Sequence, residues 1–168
     1  MRNVLPLFAA MALGGCGLHP LYSGGSGSPV AATLRSISVG PIQGQSGYLV
    51  RSKLIDRLGD QGGSAAYRLD VTLDDNITAF GLRNDRAATR ERRTLRARYQ
   101  LVDARNGMVL LDATAGSDAG IDIVSSEYAT VAAEQTALEN LSDIVADQIT
   151  ARVALYASRT AQREAAPK

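Results

Sequence analysis

The chain has 168 residues, 18 Lys and Arg against 17 Asp and Glu, no Trp and one Cys. That length suffices for one domain with a sizeable core. The near-balanced charge lacks the footprint of a general nucleic-acid binder, and a lone cysteine excludes an internal disulfide framework.

In chain order, the first element is a leader. Arg2 is the only charged side chain before Arg35, and residues 4–13 are apolar. Ten residues are about half of the ~20 that a membrane-spanning helix needs, and the length fits the apolar core of an export signal. The run ends in Leu13-Gly14-Gly15-Cys16, a Leu and two small residues before a Cys. Small residues give a peptidase access to the bond, and only a thiol accepts a diacylglyceryl thioether. Gly14 and Gly15 would break a buried helix at this point. The expectation is a cleaved signal over residues 1–15. Cys16 then carries a covalent diacylglycerol and an N-acyl chain such as palmitate, which accounts for the single cysteine. Two or more acyl chains anchor firmly where one would not. Gly17, in place of Asp, points to the outer membrane, with the domain facing the periplasm. Cleavage takes Arg2, one of the 18 basic residues, and leaves the rest equal to the 17 acidic ones. Nothing after Cys16 is apolar for long enough to span a membrane.

Residues 16–33 read as a lipidated N-terminus and flexible linker, rich in Gly and Ser over 23–29. The domain proper is expected over 34–157. Residues 34–39 alternate as a short strand stopped by Gly40-Pro41. Residues 47–58 predict a helix with Val50, Leu54 and Leu58 on one stripe, Ser46 as its cap and Gly59 past its end. Residues 66–80 alternate: Tyr67, Leu69, Val71, Leu73 and Ile77 face one way, and Arg68, Asp70, Thr72, Asp74, Asn76 and Thr78 the other. After a turn, residues 89–102 resume the alternation. Asn106-Gly107 is a strong hairpin signal, followed by a strand over 108–115 with Val109, Leu111 and Ala113 inward. Residues 127–156 contain no Gly or Pro. There Val131, Leu138, Leu141, Val145, Ile149, Val153 and Tyr156 recur at helical spacing, with Ser125 or Ser126 as cap. Residues 158–168 read as a disordered tail. The order β-α-β-β-β-α predicts a two-layer α/β sandwich, a four-stranded mixed sheet with two helices on one face.

Catalytic signals are weak. His19, the only histidine, sits beside the expected anchor and joins no metal-ligand spacing. There is no P-loop and no G-x-S-x-G. Asp74 and Asp75 are neighbours on a strand and point to opposite faces. The reading is of a protein that is not an enzyme and holds no metal and no cofactor beyond the lipid on Cys16. The constellation that stands out is basic: Arg83, Arg86, Arg90, Arg92, Arg93, Arg96 and Arg98, opposed only by Asp85 and Glu91. Alternation puts Arg90, Arg92, Arg96 and Arg98 on one face of one strand. Guanidinium forks at a two-residue spacing of ~7 Å suit a multiply phosphorylated head group. The plain alternative is a cross-strand charge ladder with Asp70 and Asp74.

The segment Cys16-Gly17-Leu18-His19-Pro20-Leu21-Tyr22 resembles the CGFxPLY start of the mature lipopolysaccharide-assembly lipoproteins, the LptE family of alphaproteobacterial type, with Leu18 in place of the aromatic. The order of elements fits that family too. The resemblance implies an outer-membrane lipoprotein that partners and plugs a large LptD-type β-barrel. It also implies lipopolysaccharide binding through basic residues near the start of the third strand. By region these are Arg90, Arg92, Arg93, Arg96 and Arg98. A polar sheet face suits a water-filled barrel interior. The alternative is an auxiliary lipoprotein of an ABC-type lipid transport system spanning the envelope. An enzyme acting on cell-wall material is a weaker third option, since no residue set recommends it.

Overall fold

A computed structural model describes residues 29–59, 65–82, 88–124 and 126–165. Cys16, the leader and His19 lie outside the described residues, as do Arg83 and Arg86. Seven elements follow in order: α1 (Pro29–Arg35), β1 (Ile37–Val39), α2 (Gly44–Leu58), β2 (Tyr67–Leu82), β3 (Ala88–Asp103), β4 (Val109–Asp122) and α3 (Glu127–Ala165). The sheet order is β1-β2-β3-β4, with β1 parallel to β2 and the other pairs antiparallel. This is the expected four-stranded mixed sheet with a helical layer, enlarged by one helix.

Four local expectations need correction. The first strand is shorter than residues 34–39, because α1 occupies Pro29–Arg35 and only Ile37–Val39 pair. Pro at a first helical position is pre-set for the helix. Leu34 then reaches the core from the helix, leaving Ile37 and Val39 as the buried strand positions. The linker expected over 16–33 therefore ends by Pro29. Second, α2 begins at Gly44, so Ser46 lies inside the helix and is buried, and Gln43 holds the cap position without a side-chain bond. The stop is as expected: Gly59 takes φ 84° and its N–H donates to the Ile55 carbonyl at 2.8 Å. Third, β4 runs seven residues beyond Ala115, to Asp122. Gly, Ser and Asp are poor strand formers, but pairing with the long β3 and its arginines overrides propensity. Fourth, α3 continues to Ala165 and does not stop at 157. Residues 158–165 hold no Gly or Pro, the Ser158 and Thr160 hydroxyls donate to carbonyls within the helix, and Arg163 suits its negative end.

Other expectations hold. The Asn106-Gly107 turn closes β3 to β4, with Gly107 at φ 72° donating to Asp103 O at 2.9 Å. Ser126 caps α3 loosely, accepting from the Ala129 N–H at 3.4 Å. The core lies between the sheet and the helices. Val50 and Leu54 of α2 meet Leu69, Leu95, Tyr99 and Leu101 of the sheet and Leu138, Leu141, Val145, Ile149 and Val153 of α3. Val131 departs from that stripe, being 61% exposed. α2 and α3 run parallel and in step: Gln45 meets Gln135, Lys53 meets Asp143 and Arg57 meets Asp147, each pair 90 residues apart. With both helices behind it, the sheet leaves its other face, which carries the arginine row, uncovered.

Candidate functional site

The register decides which side chains share the uncovered face. Asp74 stands opposite Arg96, Thr72 opposite Arg98 and Asp70 opposite Gln100. On the other flank Asp112 stands opposite Gln100, Thr114 opposite Arg98, Gly116 opposite Arg96, Asp118 opposite Thr94 and Asp122 opposite Arg90. Arg68, Arg90, Arg92, Arg96 and Arg98 therefore share the face with Asp70, Asp74, Asp112, Asp118 and Asp122. Among the described residues it carries five cations and five anions, so the basic surplus legible between residues 83 and 98 is balanced here by β4.

The pairs are individual and mostly exposed. Arg90 donates to Asp122 at 2.9 Å, Arg92 lies 3.7 Å from Asp118, and Arg98 forks onto Asp112 at 2.8 and 3.2 Å. Arg68 takes Asp70 on its own strand at 2.8 Å. The Arg98 guanidinium, helped by the Gln100 amide, pulls the Asp112 carboxyl down to about 2. Arg92 also stacks over Phe80, 5.5 Å from the ring centre, a cation–π contact. The expected ladder with Asp70 and Asp74 is thus displaced to the β4 side, and exposed pairs of this kind contribute little to stability.

Arg96 differs from the rest. It is exposed, and among the described residues no ion pair within 4 Å engages it although Asp74 is its cross-strand neighbour. It lines an open depression with Thr72, Asp74, Arg98, Thr114 and Gly116. Gly116 makes room there: a Cβ on it would stand 3.1 Å from Arg96 Cγ and 3.1 Å from Leu95 O. At the rim, Gln148 of α3 accepts the Gly116 N–H at 3.0 Å and donates to its carbonyl at 3.4 Å. The amide stands in for a neighbouring strand and blunts the sheet edge.

Arg93 belongs to the opposite face. Its guanidinium donates to Asp75 at 2.7 and 2.9 Å and to the Glu134 carbonyl at 3.1 Å, and only 13% of its side chain is exposed. It fastens β2, β3 and the start of α3 together. Asp75 is thereby separated from Asp74 across the sheet, as alternation requires. Beside Arg93, burial and the nearby Glu134 push the Glu91 carboxyl up, and Glu91 Oε2 is buried without a hydrogen bond. Of the five arginines read as a group, the structure brings four to one face and turns Arg93 away. Asp112, Asp118 and Asp122 were missed as members of the site. Their signal was present as equal parity along residues 112–122, hidden because Gly116 and Gly120 made the segment look like loop.

Among the described residues no group of three or more His, Cys, Asp or Glu side chains is disposed to hold a metal ion. None of their helices is long and apolar enough to cross a membrane. The sequence model of the LptE family, described as lipopolysaccharide-assembly, matches residues 34–153. The chain belongs to the LptE family. The match spans the sandwich and the arginine face and ties the chain to lipopolysaccharide assembly in the bacterial envelope. Among solved structures, a Caulobacter crescentus protein assigned as a lipoprotein is 29% identical, with a TM-score of 0.67 over 79% of this chain and 98% of that one. Rare lipoprotein B from Shewanella oneidensis is 9% identical with a TM-score of 0.53, covering 76% of this chain and 96% of its own. A minor lipoprotein from Acinetobacter baumannii is 16% identical at 0.53, covering 71% and 90%. The last two share the fold. No curated protein sequence matches the chain.

Proposed function

We propose that this LptE-family chain is an outer-membrane lipoprotein, anchored through lipid on Cys16, that partners and plugs an LptD-type β-barrel and presents its arginine face to lipopolysaccharide. The observation that carries the reading is the family match over residues 34–153, which contains the whole uncovered face. Among the described residues Arg96 has no ion pair to surrender, and Arg90, Arg92 and Arg98 are held by exposed aspartates that a lipid phosphate displaces at small cost. The face's alternation of Thr, Asn, Asp and Arg suits contact with a polar barrel lumen. Arg93 supports the fold and is left out of the lipid contact. The site acts by binding, with no catalytic group and no cofactor beyond the lipid.

The test is photo-crosslinking in cells from Thr94 and Thr114, both on the uncovered face, after replacement by a crosslinking residue. Capture of a large outer-membrane β-barrel is expected. Capture of an inner-membrane ABC transporter complex in its place contradicts the reading. The mass of the mature chain tests the anchor directly: a protein that begins at an acylated Cys16 supports it, and one that retains residues 1–15 refutes it.

A further inference from the structure

α3 is electrically divided. Up to Asp147 its charged residues are Glu127, Glu134, Glu139, Asp143 and Asp147, with no Lys or Arg. From Gln148 onward they are Arg152, Arg159, Arg163 and Glu164. The basic part ends at a defined place in the fold. Thr33 of α1 shares one small cavity with Tyr67 of β2 and Tyr156 and Ala161 of α3. The Tyr67 N–H donates to Ser36 O at 3.1 Å, and the Ala104 N–H donates to Ala66 O at 3.0 Å. One end of the domain therefore gathers the start of the described chain, the β3–β4 turn and the last turns of α3.

That end is basic with an apolar tip. Arg35, Arg159 and Arg163 are exposed and take part in none of the ion pairs among the described residues. Met108, on the β3–β4 turn, is 59% exposed. The carboxylates on these elements are Asp103, taken by Arg105 at 3.1 Å, Asp56, exposed on α2, and Glu164, next to Arg163 in the last turn of α3. Cations in a last helical turn complement the helix dipole, which accounts for Arg163 and for Arg35 on α1. That effect fades within one turn and leaves Arg159 and the exposed Met108 unexplained.

We propose that this end of the domain is a contact surface for anionic phospholipid headgroups, with Arg35, Arg159 and Arg163 taking the phosphates and Met108 resting at the interface. The inference rests on the reading of Cys16 as the lipid-bearing residue. The described chain starts at Pro29 on α1, and Thr33 of that short helix lines the cavity at this end. The twelve residues between Cys16 and Pro29 span at most about 40 Å, so this end stays near the bilayer. A basic patch beside a lipid anchor acts as a second membrane signal. Each arginine near an anionic surface strengthens binding about fivefold, and three together about a hundredfold.

The experiment uses the mature chain, residues 16–168, with Cys16→Ser, so that binding reports the protein surface alone. It is titrated with phosphatidylcholine vesicles with and without phosphatidylglycerol. The expected result is binding to the phosphatidylglycerol vesicles that falls about a hundredfold in Arg35→Ser/Arg159→Ser/Arg163→Ser. A second arm places an environment-sensitive fluorophore on Gln162→Cys or on Thr78→Cys in the otherwise unchanged arginine background. The label at 162 responds to the vesicles and the label at 78 does not. Unaltered binding by the folded triple variant overturns the proposal, as does a response at 78 equal to that at 162. The labelling arm keeps the test decisive if the triple variant fails to fold. Failure here leaves the mass measurement on Cys16 standing, so the two readings are separable.

Discussion

Replacing Arg93 separates a fold-holding arginine from those on the uncovered face. In Arg93→Met the Asp75 carboxylate loses both guanidinium bonds, and the Glu134 carbonyl loses a donor. The side chains of Arg93 and Asp75 are only 13% and 20% exposed. Breaking a fully buried pair costs about 3–5 kcal/mol because it strands a charge. Water reaches part of this pair, so we discount the cost to about 2 kcal/mol. For a domain of this size that is a fall in Tm of about 4–8 °C. The comparison is Arg90→Ser, whose pair with Asp122 is exposed on both sides and whose loss costs about 0.5 kcal/mol or less. Thermal and urea unfolding of the two variants beside the parent measures the difference, and Arg93→Met/Asp75→Leu recovers much of the loss. Equal, small effects from Arg93→Met and Arg90→Ser refute the assignment of Arg93 to the helix side.

Three further outcomes follow from burial and charge. The Asp112 carboxyl is held at about 2 by Arg98 and Gln100, below its unfolded value of ~3.9, so the unfolded chain binds more protons in that interval. Its contribution is complete above pH ~4 and is lost as pH falls towards 2; NMR titration of Asp112 checks this, and Arg98→Ser moves the midpoint up. Glu91 has the opposite sign: its carboxyl is pushed up by burial and Glu134, so ionising it at neutral pH costs stability. Glu91→Gln therefore raises Tm at pH 7, and the gain shrinks as the pH falls from the raised value towards the ordinary glutamate range and is gone below it; a pH-independent gain refutes the cause. In α3, Leu141→Ala costs about 3 kcal/mol and Val131→Ala less than about 0.5 kcal/mol, because Leu141 is buried and Val131 exposed; denaturant midpoints decide, and equal losses place Val131 back in the core.

Periodicity made most of this fold readable. β2 and β3 alternate cleanly because one side meets the helices and the other meets solvent. α3 is legible from Leu138 to Val153 because Leu138, Leu141, Val145, Ile149 and Val153 are buried in the core shared with the sheet and α2, although Ile144 is exposed. The misses have local causes. Leu34 is buried from a helix of about two turns whose end also reads as the start of a strand. Val131 keeps the helical phase but lies outside the packed core. β4 beyond Ala115 has weak propensity, and its pairing with β3 is a long-range fact that no window of sequence contains. The arginine face suffered most from that gap. Parity alone put Arg90, Arg92, Arg96 and Arg98 together, and the structure agrees; Arg93, grouped with them by region, lies on the opposite face. The aspartates that neutralise the face come from the strand that was cut short, so a balanced face read as a basic one.

The central claim is that the uncovered arginines, and not the surplus of charge as such, meet lipopolysaccharide. The most direct measurement is the lipopolysaccharide affinity, at matched salt, of the mature chain and of Arg90→Ser/Arg92→Ser/Arg96→Ser/Arg98→Ser, with folding checked by circular dichroism. An unchanged fold is expected, with binding weakened about tenfold or more, from two or more lost charge-assisted contacts. Undiminished binding by the folded variant contradicts it.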